Sequence, residues 1–482
     1  HRYLECMFAI PMIGAVIHTI NVRLSPEQIL YTMNHAEDRF VLVNSEFVGL
    51  YQAIAGHLTT VEKTLLLTDA PEKTAELPNL VGEYETLLAA AGPQYAFEDF
   101  DENSVATTFY TTGTTGNPKG VYFTHRQLVL HTLGVSTIMG AIDSVRLLGT
   151  NDVYMPITPM FHVHAWGLPY VATMLGLKQV YPGRYDPEYL VELWRREKVT
   201  FSHCVPTILQ MVLNAKAAQG TDFGGWKIVI GGSALNRALY EAAKAKGIQL
   251  TAAYGMSETG PLVSCAHLND ELMAGSEDER TTYRIKAGVP GPLVEAAIID
   301  AEGNFLPADG EAQGELVLRA PWLSEGYFNE PQKGAELWEG GWLHTGDVAT
   351  LDSMGVIDIR DRIKDVIKTG GEWISSLDLE DLISRHAAVR EVAVVGIADP
   401  QWGERPFALL VIREGHEIGA RELKEHLKPF VELGHLSKWA IPSQIALVTE
   451  IPKTSVGKLD KKRIRVDISE WQASNSTFLS TL

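Results

Sequence analysis

Tyr110-Thr111-Thr112-Gly113-Thr114-Thr115-Gly116-Asn117-Pro118-Lys119-Gly120 follows directly on a strand-like run, Ser104 to Phe109. Glycines at 113, 116 and 120 allow tight turns and close approach, and four threonines supply hydroxyls. Consecutive backbone N–H groups in such a turn form a nest for an anion. By composition the segment is a phosphate cradle, with a solvated Gly/Thr loop as the alternative. It is not the Walker pattern: Lys119 precedes a glycine rather than following one, and the only Gly-Lys pair, Gly457-Lys458, is followed by Leu459 instead of Ser or Thr. That disfavours an ordinary P-loop nucleotide hydrolase.

Around this loop, from residue 1 to about 260, short apolar segments alternate with longer amphipathic ones. Phe40 to Val43, Thr64 to Leu67, Gln179 to Tyr181 and Lys227 to Ile230 predict strands, and Pro187 to Glu197 and Asn236 to Lys246 predict helices. The alternation indicates α/β layers with a largely parallel sheet. Asn269 to Arg280 is acidic and predicts an exposed loop, after which turn chemistry at Glu302-Gly303-Asn304 and Asp309-Gly310 marks a β-rich subdomain from about 285 to 358. A new pattern then begins: helix at Asp378 to His386, strands at Glu391 to Ile397 and Phe407 to Ile412, helix at Ala420 to Phe430. The expected fold class is thus α/β, with a large N-terminal domain over 1–360 and a small mobile α+β domain over 361–482.

Of the 482 residues 45% are hydrophobic and 21% charged, which excludes disordered, collagenous and coiled-coil classes. The net charge of −19 repels a phosphate backbone, so no nucleic-acid partner is expected. Residues 361–482 hold 17 basic and 18 acidic side chains, with basic ones gathered at Lys453, Lys458, Lys461, Lys462, Arg463 and Arg465. Such an edge suits either polyphosphate or plain solvation. Cys6, Cys204 and Cys265 are odd in number and far apart, without metal-pair spacing, which fits a reducing cytoplasm. Met7 to Ile17 is apolar but broken by Pro11 and Gly14, and is shorter than the ~20 residues of a membrane span, so it predicts buried core. The sequence opens at His1 inside an amphipathic helix, and a preceding N-terminal piece is expected.

Six further segments stand in order along the chain: Pro159 to Trp166, Gly231-Gly232-Ser233-Ala234, Tyr254-Gly255-Met256-Ser257-Glu258-Thr259, Trp342 to Asp347, Asp361 to Trp373, and Pro452 to Lys458. Together with the Thr/Gly loop this series resembles the AMP-forming acyl-CoA synthetases of the adenylate-forming superfamily. Phe161 to Trp166 and Gly370 to Ser376 are most similar to the medium- and long-chain fatty acyl-CoA synthetases. The resemblance implies a ligase that makes an acyl-adenylate from a fatty acid and ATP, then passes the acyl group to CoA. It implies a nucleotide site of Thr111, Thr112, Gly113, Thr114, Thr115, Gly116 and Lys119 in the phosphate loop, Gly232 and Tyr254 bracketing the base, and Val163, Ala252, Ala253 and Ser257 also at the nucleotide. Asp347 would take the ribose, with Arg362, Lys364, Lys368 and Trp373 also near the nucleotide.

By the same resemblance Lys458 is the cation for the α-phosphate, His162 stands where the substrate carboxylate meets the nucleotide, and Glu258 with Thr111 holds Mg²⁺, which prefers hard oxygen ligands. Trp166 would gate an acyl tunnel. Lys364 would be the hinge of a rotating small domain, and Gly370 with Gly371 would line the CoA channel. Plainer readings stay open: a solvated Lys458, a helix-start Glu258, a turn-shaping Asp347, a core Tyr254 or Trp166. His162 and His164 are two apart and would share one side of a strand, but no third ligand stands near for zinc. Ala252 and Ala253 depart from the family's usual residues, which leaves acid chain length open. A short or functionalised acid, or a silent acyl- or nucleotide-binding relative, is the alternative function. Peripheral membrane contact and a homodimer are left open.

Overall fold

The computed structural model describes residues 1–70, 76–111, 117–142, 146–370, 372–473 and 478–480. Among the described residues the strands form five sheets. The one that positions the site has seven strands. Val153–Pro156, Lys178–Gln179, Phe201–Cys204, Lys227–Ile230 and Gln249–Gly255 run parallel, and Leu262–Cys265 and Val289–Pro290 extend it antiparallel. Phe201–Cys204 is buried at every position, as a parallel strand covered on both faces must be. One covering helix, Pro187–Glu197, starts where the Asp186 side chain accepts from the Tyr189 N–H at 2.9 Å and Pro187 occupies the first turn. It buries Leu190, Val191 and Leu193 in a cluster with Phe223 and Trp226. Trp226 is fully buried, and its indole N–H donates to Ser202 Oγ at 3.0 Å.

The strand before the Thr/Gly loop, Val105–Thr111, lies parallel to Ile17–Thr19 and antiparallel to Lys119–Thr124, so Thr111 faces Lys119 at the loop end of the hairpin. The next helix, His125–Gly140, starts in a reciprocal cap between Thr124 and Gln127. At Gly134 it passes so near Trp322 that a Cβ would stand 2.9 Å from the indole, and only glycine permits that approach. Trp322 belongs to the core of the four-stranded antiparallel sheet Glu295–Ile299, Gly314–Arg319, Leu343–Leu351 and Ile357–Arg362. Its first turn forms as the composition predicts: the Asp300 carboxylate accepts from the N–H groups of Glu302 and Asn304 at 3.0 and 2.8 Å.

The small C-terminal domain is a six-stranded sheet in which Val389–Asp399 and Gly403–Ile412 form the longest pair. Helices Ser376–Ser384 and Ala420–Glu432 bury Leu379, Ile383, Leu423 and Leu427 in its core. Three of its clustered basic residues pair with carboxylates: Lys453 with Glu391 at 2.9 Å, Lys461 with Glu380 at 2.8 Å and Arg465 with Asp365 at 2.8 Å.

Two expectations need correction. Asn269 to Arg280 is not a loop but two short helices, Asp270–Ala274 and Glu277–Arg284, capped by Asn269 and Ser276. Their acidic residues sit in first turns, where carboxylates favour the helix dipole, and this is why the segment reads as merely solvated. Within Met7 to Ile17, Met7, Pro11 and Ile17 are buried while Met12, Ile13 and Val16 are exposed, because the helix Arg2–Met12 turns only one face inward and Ile13 and Val16 lie in the connection that follows it. Among the described residues no helix is long and apolar enough to cross a membrane.

Trp226→Ala removes the largest buried ring of the main core and leaves Ser202 without its donor. Destabilisation of about 3–5 kcal/mol is expected, read as a lower urea midpoint at unchanged slope.

Candidate active site

The parallel strands end at Val205-Pro206-Thr207, Gly231-Gly232 and Tyr254-Gly255-Met256. Their carboxyl ends open on a cavity of about 1100 Å³, lined across from them by Arg362, Lys364 and Lys458. Open α/β sheets bind ligands there, and single-ligand pockets run to about 300–1,000 Å³, so a nucleotide and a second molecule fit together.

Of the residues singled out in the sequence, Thr111, Lys119, His162, Gly232, Ala252, Ala253, Tyr254, Ser257, Glu258, Asp347, Arg362, Lys364 and Lys458 all line this cavity. Val163 and Trp166 line an adjoining recess shared with His162, Gly232 and Lys458. Thr112, Gly113, Thr114, Thr115, Gly116 and Gly371 lie outside the described residues. Lys368, Gly370 and Trp373 are not brought to the cavity. They sit on the hairpin of Ile367–Thr369 with Glu372–Ile374, where Trp373 is 54% exposed, the Lys368 ammonium lies 5.6 Å from its ring, and Gly370 packs on Trp402.

Two carboxylates in the cavity act on the Lys458 ammonium. Asp347, on Leu343–Leu351, is buried, accepts from the Tyr254 hydroxyl at 2.6 Å, and pairs with Arg362 Nε at 3.1 Å on the neighbouring strand. Glu258, in the single turn Ser257–Thr259, is also buried and accepts from the Tyr327 hydroxyl at 2.7 Å. Both carboxylates line the cavity, and the Tyr254 hydroxyl orients Asp347. Tyr327 was invisible to sequence reasoning: 69 positions separate it from its partner and no motif joins them.

Lys458 enters from a tight hairpin. The Thr454 N–H donates to the Lys458 carbonyl at 2.7 Å and the Gly457 N–H to the Thr454 carbonyl at 2.9 Å, while Gly457 takes a φ of +84° that glycine tolerates. Inside the cavity, burial and then the charge of Arg362 bring the Lys458 ammonium down to about 8, against the pull of Asp347 and Glu258. Gly232 makes room for it: a Cβ there would lie 3.1 Å from Lys458 Cε, at a backbone φ of +79°. Lys364 is likewise lowered, by burial first and Arg362 second.

His162 to Trp166 is not the strand that would place both histidines on one side. Val163, His164, Ala165 and Trp166 have φ of 47°, 51°, 48° and 61°, a left-handed turn costing about 1–2 kcal/mol per residue. Such strain persists only where surroundings impose it. Here the turn sends His164 inward to Thr107 Oγ1 at 2.5 Å and lays Trp166 over His203 at 5.0 Å, while His162 alone faces the cavity. Burial, helped by the Lys458 charge, lowers His162 to about 3, so it is neutral at physiological pH.

Among the described residues no cluster of three His, Cys, Asp or Glu side chains could hold a metal by itself. Glu258 and Thr111 border the same cavity, and two hard oxygen donors suit Mg²⁺, which keeps several waters and phosphate oxygens in its shell. The donor set therefore fits an ion that arrives with a polyphosphate.

The sequence profile of the AMP-binding enzyme family matches residues 1–328, and that of the AMP-binding enzyme C-terminal domain matches residues 378–458. The chain belongs to this family, as its ordered motifs imply. It is 42% identical to the long-chain-fatty-acid–CoA ligase of Thermus thermophilus, over 96% of this chain and 83% of that protein. It is 38% identical to the 3-methylmercaptopropionyl-CoA ligase of Ruegeria pomeroyi, over 96% of this chain and 84% of the other. The crystal structure of the anthranilate CoA ligase AuaEII in complex with anthranoyl-AMP superposes with a TM-score of 0.84 at 22% identity, covering 97% of this chain and 85% of that one. This shows the shared fold.

The reactivity of Lys458 toward an amine-selective reagent, followed by peptide mass spectrometry, should rise with a midpoint near pH 8, where a solvated lysine titrates at about 10.4. Asp347→Asn removes a charge that favours the ammonium, so it should move the midpoint lower still.

Proposed function

We propose that the chain activates a medium- or long-chain fatty acid with ATP to an acyl-adenylate, and then transfers the acyl group to CoA. The observation that carries this reading is the meeting of Lys458, His162, Glu258, Asp347 and Thr111, five residues from separate segments, at one cavity large enough for two ligands. In the first step a carboxylate oxygen bonds to the α-phosphorus, the bond to the β-phosphate oxygen breaks, and pyrophosphate leaves with the electron pair. In the second the CoA sulfur bonds to the acyl carbon, the thiol proton is lost, and AMP departs.

Lys458 supplies the cation where charge grows at the α-phosphate. Neutral His162 adds no charge beside the incoming carboxylate and offers it a ring N–H. Gly232 leaves space for the base, Tyr254 gives it a ring face, and Asp347 accepts from the ribose hydroxyls. Glu258 and Thr111 would hold a magnesium ion, whose chemistry is to screen the negative charge of the phosphates. Trp166, buried against His203, closes the acyl recess until a chain enters. The CoA thiol needs the space that Lys458 fills, so the domain after the hinge at Lys364 turns away, bringing Gly370 and Gly371 toward the pantetheine arm. The Thermus relative favours a fatty acid, and the Ruegeria relative favours a short sulfur-containing acid as the second reading. A silent binding protein is the weaker alternative, since no member of the constellation is missing.

Pyrophosphate release with ATP across carboxylic acids of increasing length, with and without CoA, tests the reading. Release should be greatest with medium or long aliphatic acids and thioester should appear only with CoA; acid-independent release overturns it. Lys458→Ala should reduce adenylation by at least about a hundredfold, as loss of a transition-state donor does, and spare thioester formation from preformed acyl-AMP.

The Lys458 ammonium is the form that serves adenylation and is lost as pH rises through about 8. kcat/KM for ATP should therefore fall on that alkaline side, approaching about tenfold per pH unit.

A further inference from the structure

The hairpin that carries Lys458 is fastened at its tip to the large domain by residues that no motif singles out. Asn21, just after the strand Ile17–Thr19, is buried and lines the cavity. Its Oδ1 accepts from the Arg23 N–H at 3.1 Å, which orients the amide, and its Nδ2 donates to Ser455 Oγ at 3.1 Å. Arg23 Nη1 donates to the Ser455 carbonyl at 2.8 Å. On the opposite side Thr207, in the first turn of Pro206–Asn214, donates from Oγ1 to the Gly457 carbonyl at 2.9 Å. The hairpin is internally rigid through the Thr454–Lys458 and Thr454–Gly457 backbone bonds. Fixing Ser455 and Gly457 therefore fixes where the next residue's ammonium stands.

We propose that Asn21 and Arg23 are positioning residues for the first half-reaction: they latch the hairpin tip so that Lys458 is held at the reacting phosphate, and they release it before the second. The proposal rests on the two-step reading above. A misplacement of about 1 Å at a reacting centre can cost on the order of a hundredfold in rate, and a lysine stem with four rotatable bonds has no accuracy of its own. Accuracy comes from the hairpin and from what grips its tip. The grip is made through individual hydrogen bonds, which suits a contact that must part on every turnover.

The test measures the two half-reactions separately on the full chain: acid-dependent ATP–pyrophosphate exchange, and thioester formation from synthetic acyl-AMP and CoA. Asn21→Ala and Ser455→Ala should each slow exchange by about three- to tenfold, the factor one neutral hydrogen bond supplies. Combined, they should be no slower than either alone, because they share that bond. Arg23→Ala should slow exchange in the same direction. Thioester formation should stay within about twofold throughout, which also reports that each variant is folded. Equal losses in both half-reactions, no loss in exchange, or additive effects of Asn21 and Ser455 overturn the latch. Absence of exchange in the unaltered chain instead tells against the two-step reading itself, and takes the latch with it.

Discussion

The ammonium of Lys458 stands in a cavity it shares with a second cation, Arg362, and is tolerated there because Asp347 and Glu258 face it. Burial works against that charge and the carboxylates work for it, so the group sits within reach of titration instead of being locked on. Each carboxylate is itself held by a tyrosine hydroxyl, Asp347 by Tyr254 and Glu258 by Tyr327. The two pairs draw together the edge of the parallel sheet, the antiparallel sheet and the segment between them. What sets the chemistry is therefore a balance of few charges across a seam between two domains, and any motion of the small domain alters it.

The same constraint explains why much of the site lies in loops at strand ends. Gly232 leaves the strand Lys227–Ile230 with a positive φ and lets the lysine stem pass. The left-handed turn from Val163 to Trp166 separates two histidines that are near in sequence, one facing the cavity and one buried against Thr107. Strain at that turn is held by a rigid surround, with Trp166 on His203 and His203 bonded to Tyr154 at 2.8 Å.

Much of this was legible in the order of residues. Lys227 to Ile230 and Pro187 to Glu197 are read correctly because strand and helix periods, and a cap such as Asp186 before Pro187, are local properties. Where reading failed, the deciding partner was remote. Asn269 to Arg280 looks solvated until its acids are seen to begin two helices. Lys368 and Trp373 carry a motif's letters yet lie on a hairpin away from the cavity, since a domain's orientation is not written in any short segment. Tyr327, Asn21 and Thr207 have no motif at all, and each acts through one hydrogen bond to a residue far along the chain.

By itself, the sequence determined the α/β character and the chemical types gathered at the site, because glycine-rich turns, capping residues and charged side chains act through nearest neighbours and through their own chemistry, while the reaction family was carried by the resemblance of its ordered motifs. Tertiary structure alone decided which of those groups share a cavity, that Lys458 is desolvated down to about 8, and which residues hold its hairpin. These depend on distances between segments hundreds of residues apart, which only the packed chain sets.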